Sequence, residues 1–286
     1  MPRLIRSQQQ NLCGYGLKLR PEHYHEILAQ ELAIDWFEIV SENYLEVGGS
    51  SRYYLEQISD RYPLTLHGVS MSLGGSDPLD YNYLHALKQL ATEVNARHIS
   101  DHLCWNSSHG INSHDLLPLP YTEETIKHVA QRISQVQDYL GQQILVENVS
   151  SYLSYRSSQL SEGEFIRAVA EEADCLLLLD LNNVYVSAIN HKFNPCDYLQ
   201  QLPYSRVAQI HLAGHSRHGD YLIDTHDAPI CPEVWHLYQH TRQQLGHVPT
   251  LIERDANIPP LSELLRELNY ARSLNSASYT LSGPSS

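Results

Sequence analysis

Short apolar runs recur along the chain, and six of them end in a residue with a nitrogen or oxygen donor. They read Pro63-Leu-Thr-Leu-His67, Arg97-His-Ile-Ser-Asp-His102, Gln143-Ile-Leu-Val-Glu147, Leu176-Leu-Leu-Leu-Asp180, Val207-Ala-Gln-Ile-His211 and Pro249-Thr-Leu-Ile-Glu253. With two further runs near the start, the pattern predicts strands centred near Tyr15, Ile39, Leu66, Ile99, Val146, Leu178, Ile210 and Ile252. Runs rich in Val, Ile and Leu, without polar alternation, belong to strands covered on both faces, the habit of parallel sheets. Between them, helical spacing of apolar residues covers 21–32, 51–60, 81–93, 123–140, 164–173, 195–201, 233–245 and 261–272. Start signals support several of these. Pro21-Glu22 and Pro260 suit a first helical turn, and Thr122 before Glu123-Glu124 suits an N-cap followed by acidic residues.

Eight strand-then-helix units predict an α/β fold of the TIM (β/α)8 type, with any site at the C-terminal mouth of the strands. A doubly wound open sheet would more often show a Gly-rich turn after its first strand. Gly14-Tyr-Gly16 is a lone pair and reads as packing. Residues 1–272 read as one catalytic domain, and 273–286, rich in Ser, Ala, Gly and Pro, as a flexible tail. The segments 68–80 and 105–120, rich in Gly, Ser, Asn and His, read as long loops at the mouth, suited to a lid or substrate cleft.

In a closed parallel barrel, strand ends converge. His67, His102, Glu147, Asp180, His211 and Glu253 would therefore meet, and several carboxylates around one buried mouth need cations. Any one of these histidines alone would more often be an ordinary hydrogen-bonded residue; the set of six points to a metal site. Beyond His211 lie His215, Asp224 and His226, which could bind a further metal. Asn183 would add a neutral oxygen, in preference to Asn182. Glu147, Asp180 and Glu253 offer enough two-oxygen donors to bridge more than one ion. Imidazole and carboxylate without thiolate suit iron, manganese or zinc, and donor chemistry alone does not choose among them. Asp101 could orient His102 from behind, and Asp255 could do the same near Glu253 or cap the following turn. Glu42-Asn43 reads equally as substrate-facing or as exposed loop.

Composition narrows the classes. Hydrophobic residues make up 42% and charged residues 18% of 286, an ordinary globular balance. A net charge of −14 argues against binding duplex nucleic acid through its phosphates. No run reaches membrane-span length, and residues 2–8 lack the apolar core of a signal peptide, so a cytoplasmic protein without membrane contact is expected. The five cysteines contain no C-x-x-C pair and read as ordinary thiols, with Cys104 set apart only by lying two residues after His102.

The segments Gly14-Tyr-Gly-Leu-Lys-Leu-Arg20, Glu38-Ile-Val-Ser-Glu-Asn43, Leu66-His-Gly-Val-Ser70, Ser100-Asp-His-Leu-Cys104, Val146-Glu-Asn-Val149, Leu179-Asp-Leu-Asn-Asn-Val184, Gln209-Ile-His-Leu-Ala-Gly-His215 and Asp224-Thr-His226 resemble the multinuclear non-haem iron-dependent oxidative enzymes, relatives of the methanobactin-biosynthesis oxidase. The resemblance spans about 10–272 and implies a TIM barrel with two or three irons of mixed ferrous and ferric state. It also implies dioxygen-dependent oxidation of cysteine residues in a ribosomally made precursor peptide, with a small partner protein that binds the peptide leader. Carried across, His67, His102 and Glu147 would hold one iron. Glu147, Asp180, His211 and Glu253 would hold its neighbour, and Asn183, His215, Asp224 and His226 a third. The alternative is a divalent-metal hydrolase or isomerase on the same barrel, endonuclease IV-like or xylose isomerase-like, which would need no oxidant. A non-catalytic metal-binding module fits poorly with loop-rich strand ends.

Overall fold

A computed structural model of the protein describes residues 12–46 and 48–276. Its strands, in chain order, are β1 (Tyr15–Lys18), β2 (Trp36–Val40), β3 (Leu64–Gly68), β4 (Ile99–His102), β5 (Trp105–Ser108), β6 (Ile111–Leu117), β7 (Leu145–Glu147), β8 (Leu176–Asp180), β9 (Val207–Leu212), β10 (Ser216–His218), β11 (Tyr221–Ile223) and β12 (Thr250–Ile252). Eight of them close into a parallel barrel in the order β1-β12-β9-β8-β7-β4-β3-β2. This is the TIM barrel that the strand and helix alternation predicts, and each of the eight expected strand centres lies in one of its strands.

The helices are α1 (Tyr24–Ala29), α2 (Gly49–Ser59), α3 (Tyr81–Glu93), α4 (Glu123–Leu140), α5 (Glu162–Ala173), α6 (Leu181–His191), α7 (Pro195–Gln201), α8 (Pro232–Leu245) and α9 (Leu261–Ser276). Their apolar faces and the outward faces of the barrel strands form one continuous core that includes Leu66, Ile99, Val146, Ile210 and Ile252. Thr122 caps α4 by accepting from the Thr125 N–H at 3.2 Å, as its sequence context suggests. Gly16 lies against the Trp36 ring: a Cβ there would come within 2.5 Å of it, so this glycine serves close packing between β1 and β2.

Four details differ from the sequence reading. Residues 21–32 form a 3-10 turn (Pro21–His23) and the short α1, not one long helix. The segment 105–120 is not a plain loop, because β5 and β6 pair there as an antiparallel hairpin; β10 and β11 form a second one. Helix α6 has no counterpart among the predicted helices. Its sequence, Leu181-Asn-Asn-Val-Tyr-Val-Ser-Ala-Ile-Asn-His191, is dense in residues of low helix propensity, and it starts without a loop because Asp180 itself caps it, accepting from the Asn183 N–H at 2.6 Å. Helix α9 continues through Ser276, so the first residues assigned to the tail are helical; 277–286 lie outside the described residues.

Candidate metal centre

Strand register brings the donors together. His102 pairs with Glu147 across β4 and β7, and Asp180 pairs with His211 across β8 and β9. His67 is next to last in β3, and Glu253 follows the last residue of β12. All six are buried. With His226 they form three overlapping donor groups: His67, His102 and Glu147; Glu147, Asp180 and His211; and Asp180, His226 and Glu253. Within each group one ligand atom per residue lies within 4.8 Å of the others. Glu147 and Asp180 each belong to two groups, which places them between neighbouring positions.

Every central imidazole is oriented from behind. His67 Nδ1 lies 2.8 Å from Ser100 Oγ, which itself donates to the Leu66 carbonyl at 3.2 Å. That hydroxyl therefore accepts from Nδ1–H, leaving the Nε2 lone pair toward Glu147 Oε2, 3.1 Å away. His102 Nδ1 donates to the Gly68 carbonyl at 3.0 Å and presents Nε2 at 3.1 Å from the same oxygen. His211 Nε2 lies 2.9 Å from Oε1 of Glu38, a residue in the middle of β2, and 3.0 Å from Gln209 Nε2; the carboxylate is the partner that can accept its proton. With the proton on Nε2, Nδ1 is left facing Glu253 Oε2 at 3.1 Å and Glu147 Oε1 at 3.5 Å. A carboxylate behind a ligand histidine fixes its tautomer and raises its basicity. Glu38 Oε2 in turn accepts from Thr65 Oγ1 at 3.0 Å and Gln209 Nε2 at 2.6 Å, and Gln209 Oε1 meets His98 Nδ1 at 3.1 Å. A polar layer inside the barrel thus supports the mouth.

The carboxylates are fixed as firmly. Asn148 clasps Asp180 through both its main-chain groups, at 2.9 Å each, and Asn183 Nδ2 donates to the Asn148 carbonyl at 2.9 Å. Glu253 Oε1 is bonded by the buried ammonium of Lys18, which also pairs with Asp255 Oδ1 at 2.6 Å. Glu253 therefore offers the centre mainly its Oε2.

Five buried atoms on the candidate ligands have no hydrogen-bond partner, Glu147 Oε2, Asp180 Oδ2, Asn183 Oδ1, His211 Nδ1 and His226 Nε2, and Glu38 Oε1 behind them has only its ion-pair contact with His211. Each such atom costs roughly 1–3 kcal/mol. Five together would consume much of a domain's net stability of about 5–15 kcal/mol. Cations among them would satisfy the whole set, so the donors present fit a multinuclear metal centre. Electrostatics agree. Burial lowers the His67 imidazole, yet Glu147 and Glu38 carry it up to about 9. Burial likewise opposes charge on His211, but Glu38 and Glu253 hold it well above its ordinary value. Asp180 is pushed well above the carboxylate range by burial, with Glu147 adding to the rise. Burial pushes His102 down to about 4, so it stays neutral, while His67 and His211 are drawn to take protons beside an acid unable to lose its own, which marks a cavity short of positive charge.

The remaining candidates lie around this core. Asp224 Oδ1 sits 2.7 Å from His226 Nε2, but Asn182 Nδ2 already donates to it at 2.6 Å. Asn182 also receives His215 Nδ1 at 2.8 Å, and the half-buried His215 ring packs on Tyr185. His215 joins none of the three donor groups, so the third group is built from Asp180, His226 and Glu253. Asp101 does not touch the His102 ring. It accepts the main-chain N–H of His102 at 2.7 Å and of Met71 at 3.1 Å, and a Cβ on Gly68 would collide with it at 2.7 Å. Asp255 faces His226 Nδ1 at 3.4 Å. Glu42 is tied to Tyr83 and the Val69 N–H rather than open to a substrate. Burial pushes the Cys104 thiol well above its usual range, so it reads as an inert packing residue. All five cysteines are unpaired.

Glu38, in the middle of β2, is a site residue that a search of strand ends passes over; Lys18 is itself the last residue of β1, but a cation there does not read as a metal donor. Both sit inside apolar runs, where a charge in a strand covered on both faces is itself a signal. Above the donors lies a cavity of about 200 Å³, bordered by Asp115 and Leu116 of the β5–β6 hairpin and by Ser150 and Tyr152 after β7. No helix among the described residues is long and apolar enough to cross a membrane.

A family model described as the RiPP precursor modification enzyme MbnB/TglH/ChrH matches residues 14–276. A UPF0276 protein of Acaryochloris marina is 53% identical over 258 residues, covering 90% of this chain and 93% of the relative. Among solved structures, D-psicose 3-epimerase from Clostridium cellulolyticum H10 superposes with a TM-score of 0.61 at 10% identity, covering 92% of this chain and 98% of that one. Endonuclease IV from Thermus thermophilus gives 0.59 at 14%, covering 91% and 99%. At such identities these two likenesses concern the barrel alone.

Proposed function

The chain belongs to the MbnB/TglH/ChrH family of RiPP precursor modification enzymes, and from that premise we propose that it is a cytoplasmic, dioxygen-using, multinuclear iron enzyme that oxidises cysteine residues of its precursor peptide. Family membership makes it a TIM-barrel enzyme that modifies a ribosomally made peptide. The observation that carries the finer reading is the sharing of Glu147 and Asp180 between donor groups, with five orphaned atoms around them. A mononuclear site needs about three protein ligands and one open position; this mouth supplies enough for two or three ions, and family membership favours redox chemistry over two-metal hydrolysis there.

In this reading His67, His102 and Glu147 hold one iron, Glu147, Asp180 and His211 a second, and Asp180, His226 and Glu253 a third, with Asn183, Asp224 and His215 at its border. Bound iron supplies the redox capacity and Lewis acidity that dioxygen-dependent oxidation of a thiol requires. The protein's residues do the rest. Ser100, Gly68 and Glu38 keep the imidazole protons away from the centre, so that each ring presents a lone pair. Lys18 compensates one carboxylate charge without using an open position. Tyr152 and the β5–β6 hairpin narrow the mouth so that one extended peptide segment enters and bulk water is excluded. With a net charge of −14, docking of a long peptide through a local patch or a small leader-binding partner protein is favoured over bulk charge attraction.

The test is to incubate iron-loaded enzyme with the Cys-containing peptide encoded beside it, under air and under argon. A mass change at cysteine only in air is expected. Equal product in both atmospheres would remove the oxidase reading and leave a divalent-metal hydrolase or isomerase.

A further inference from the structure

The segment that follows β7 has two faces, and only one of them belongs to the metal centre. Ser150 and Tyr152 border the central cavity, whereas Ser151 and Leu153 border a second cavity of about 450 Å³. The same short segment therefore lines both cavities. The second cavity is enclosed on its far side by the start of α5 and by α7. Leu153, Ser154 and Tyr152 are exposed, so it opens on the same surface as the mouth.

Its chemistry differs from that of the metal centre. The walls are aromatic: Tyr121, Tyr155, Phe193 and Tyr198. At its base is Glu162, whose Oε1 accepts from Tyr198 Oη at 3.1 Å. Asp197 adds a second carboxylate. No lysine or arginine lines the cavity; its one basic side chain is His191, whose Nε2 meets Ser151 Oγ at 3.0 Å, and Glu162 has no ion pair among the described residues. Burial pushes the Glu162 carboxyl up to about 7, although the Tyr198 and Tyr121 hydroxyls both favour its charged form. A carboxylate supplied with donors, walled by aromatic faces and without a lysine or arginine partner is an arrangement that receives an ammonium or guanidinium group.

We propose that this cavity is a side-chain subsite for an arginine of the precursor peptide, lying a few residues from the position held at the metal centre. The guanidinium fits the site in two ways: its fork bonds the Glu162 carboxylate, and its flat face stacks on the tyrosines. This assignment rests on the peptide-modifying reading for the identity of its occupant, but the cavity's affinity does not depend on iron or turnover.

The probe is N-acetyl-arginine methylamide, titrated by NMR into metal-free full-length protein, with the isosteric N-acetyl-citrulline methylamide as the neutral comparison. The arginine compound should bind, and citrulline should bind roughly tenfold or more weakly, as expected for losing a hydrogen bond to a charged group. Glu162→Gln should erase that preference. Ser154→Trp, at an exposed wall position, should block both compounds while leaving the fold intact, so misfolding of the first variant would not decide the matter. Equal binding of the two compounds, or none of either, by the wild-type protein would overturn the subsite. Arginine binding together with atmosphere-independent chemistry would instead retain the subsite and refute the oxidase.

Discussion

The two sides of the candidate metal centre are built differently. On the side of His67, His102 and Glu147, every donor stands on a barrel strand, and each imidazole is fixed by the main chain or by a serine in the neighbouring strand. On the side of His226 and Glu253, one donor comes from a loop with a left-handed backbone (φ 48°), and the other shares its carboxylate with Lys18. The strand side is preorganised and presents a shared carboxylate oxygen that only a cation can satisfy. The loop side already contains a cation of its own. Affinity should therefore be greatest on the strand side, and the loop side should be the adjustable part of the centre, since a fixed ammonium opposes the charge of a bound ion.

Glu147→Ala should break this comparison most severely. Glu147 belongs to two donor groups, so its loss should empty both and abolish turnover. His226→Ala should remove no more than one ion. Metal analysis of the two variants side by side checks this, and equal losses would mean that the two sides are not distinct.

Next in size is Lys18→Met. Removing one partner of a buried ion pair costs about 3–5 kcal/mol, and Glu253 and Asp255 would be left facing each other. Chemical denaturation of metal-free protein should show a loss of that order. Added iron should recover more stability in Lys18→Met than in wild type, because the freed carboxylate takes the ion. If iron recovers no more there, Lys18 is only a structural ion pair.

Glu38→Gln keeps the volume and a hydrogen-bonding group but removes the charge behind His211. Metal affinity, read by competition with a chelator, should fall ~10–100-fold. An unchanged affinity would show that His211 needs no carboxylate behind it.

The smallest effect is expected from Asp101→Asn. Burial raises the Asp101 carboxyl to about 7, with Glu42 adding to it. Its contribution to stability is fully present below the ordinary carboxylate pKa and is lost as pH rises toward 7. Metal-free wild type should lose stability across that interval, and Asp101→Asn should show a flatter profile. The same decline in both would remove Asp101 as its source.

This contrast also explains what can be read from the sequence. Strand-end donors such as His102, Glu147 and Asp180 are legible because a parallel barrel makes strand ends converge whatever the loops do. The loop side is not. Whether His215 or Glu253 joins His226 depends on how β10 and β11 fold back, and no periodicity encodes that path. Asn182 reads from the sequence as less favoured than Asn183, yet it links His215 to Asp224. Glu38 is hidden because it sits inside a strand, where the apolar neighbours that define the run draw attention from the charge; Lys18 ends β1 but, as a cation, does not read as a metal donor. Helix α6 is hidden because its residues have weak helix propensity and tertiary packing decides the outcome.

The most direct measurement is to locate and count iron in crystals of the active enzyme by anomalous scattering at the iron edge. Two or three peaks are expected, one of them touched by His67, His102 and Glu147 together, with the weakest beside His226 and Glu253. A single peak, or stoichiometric zinc in place of iron in an active sample, would contradict a multinuclear iron centre.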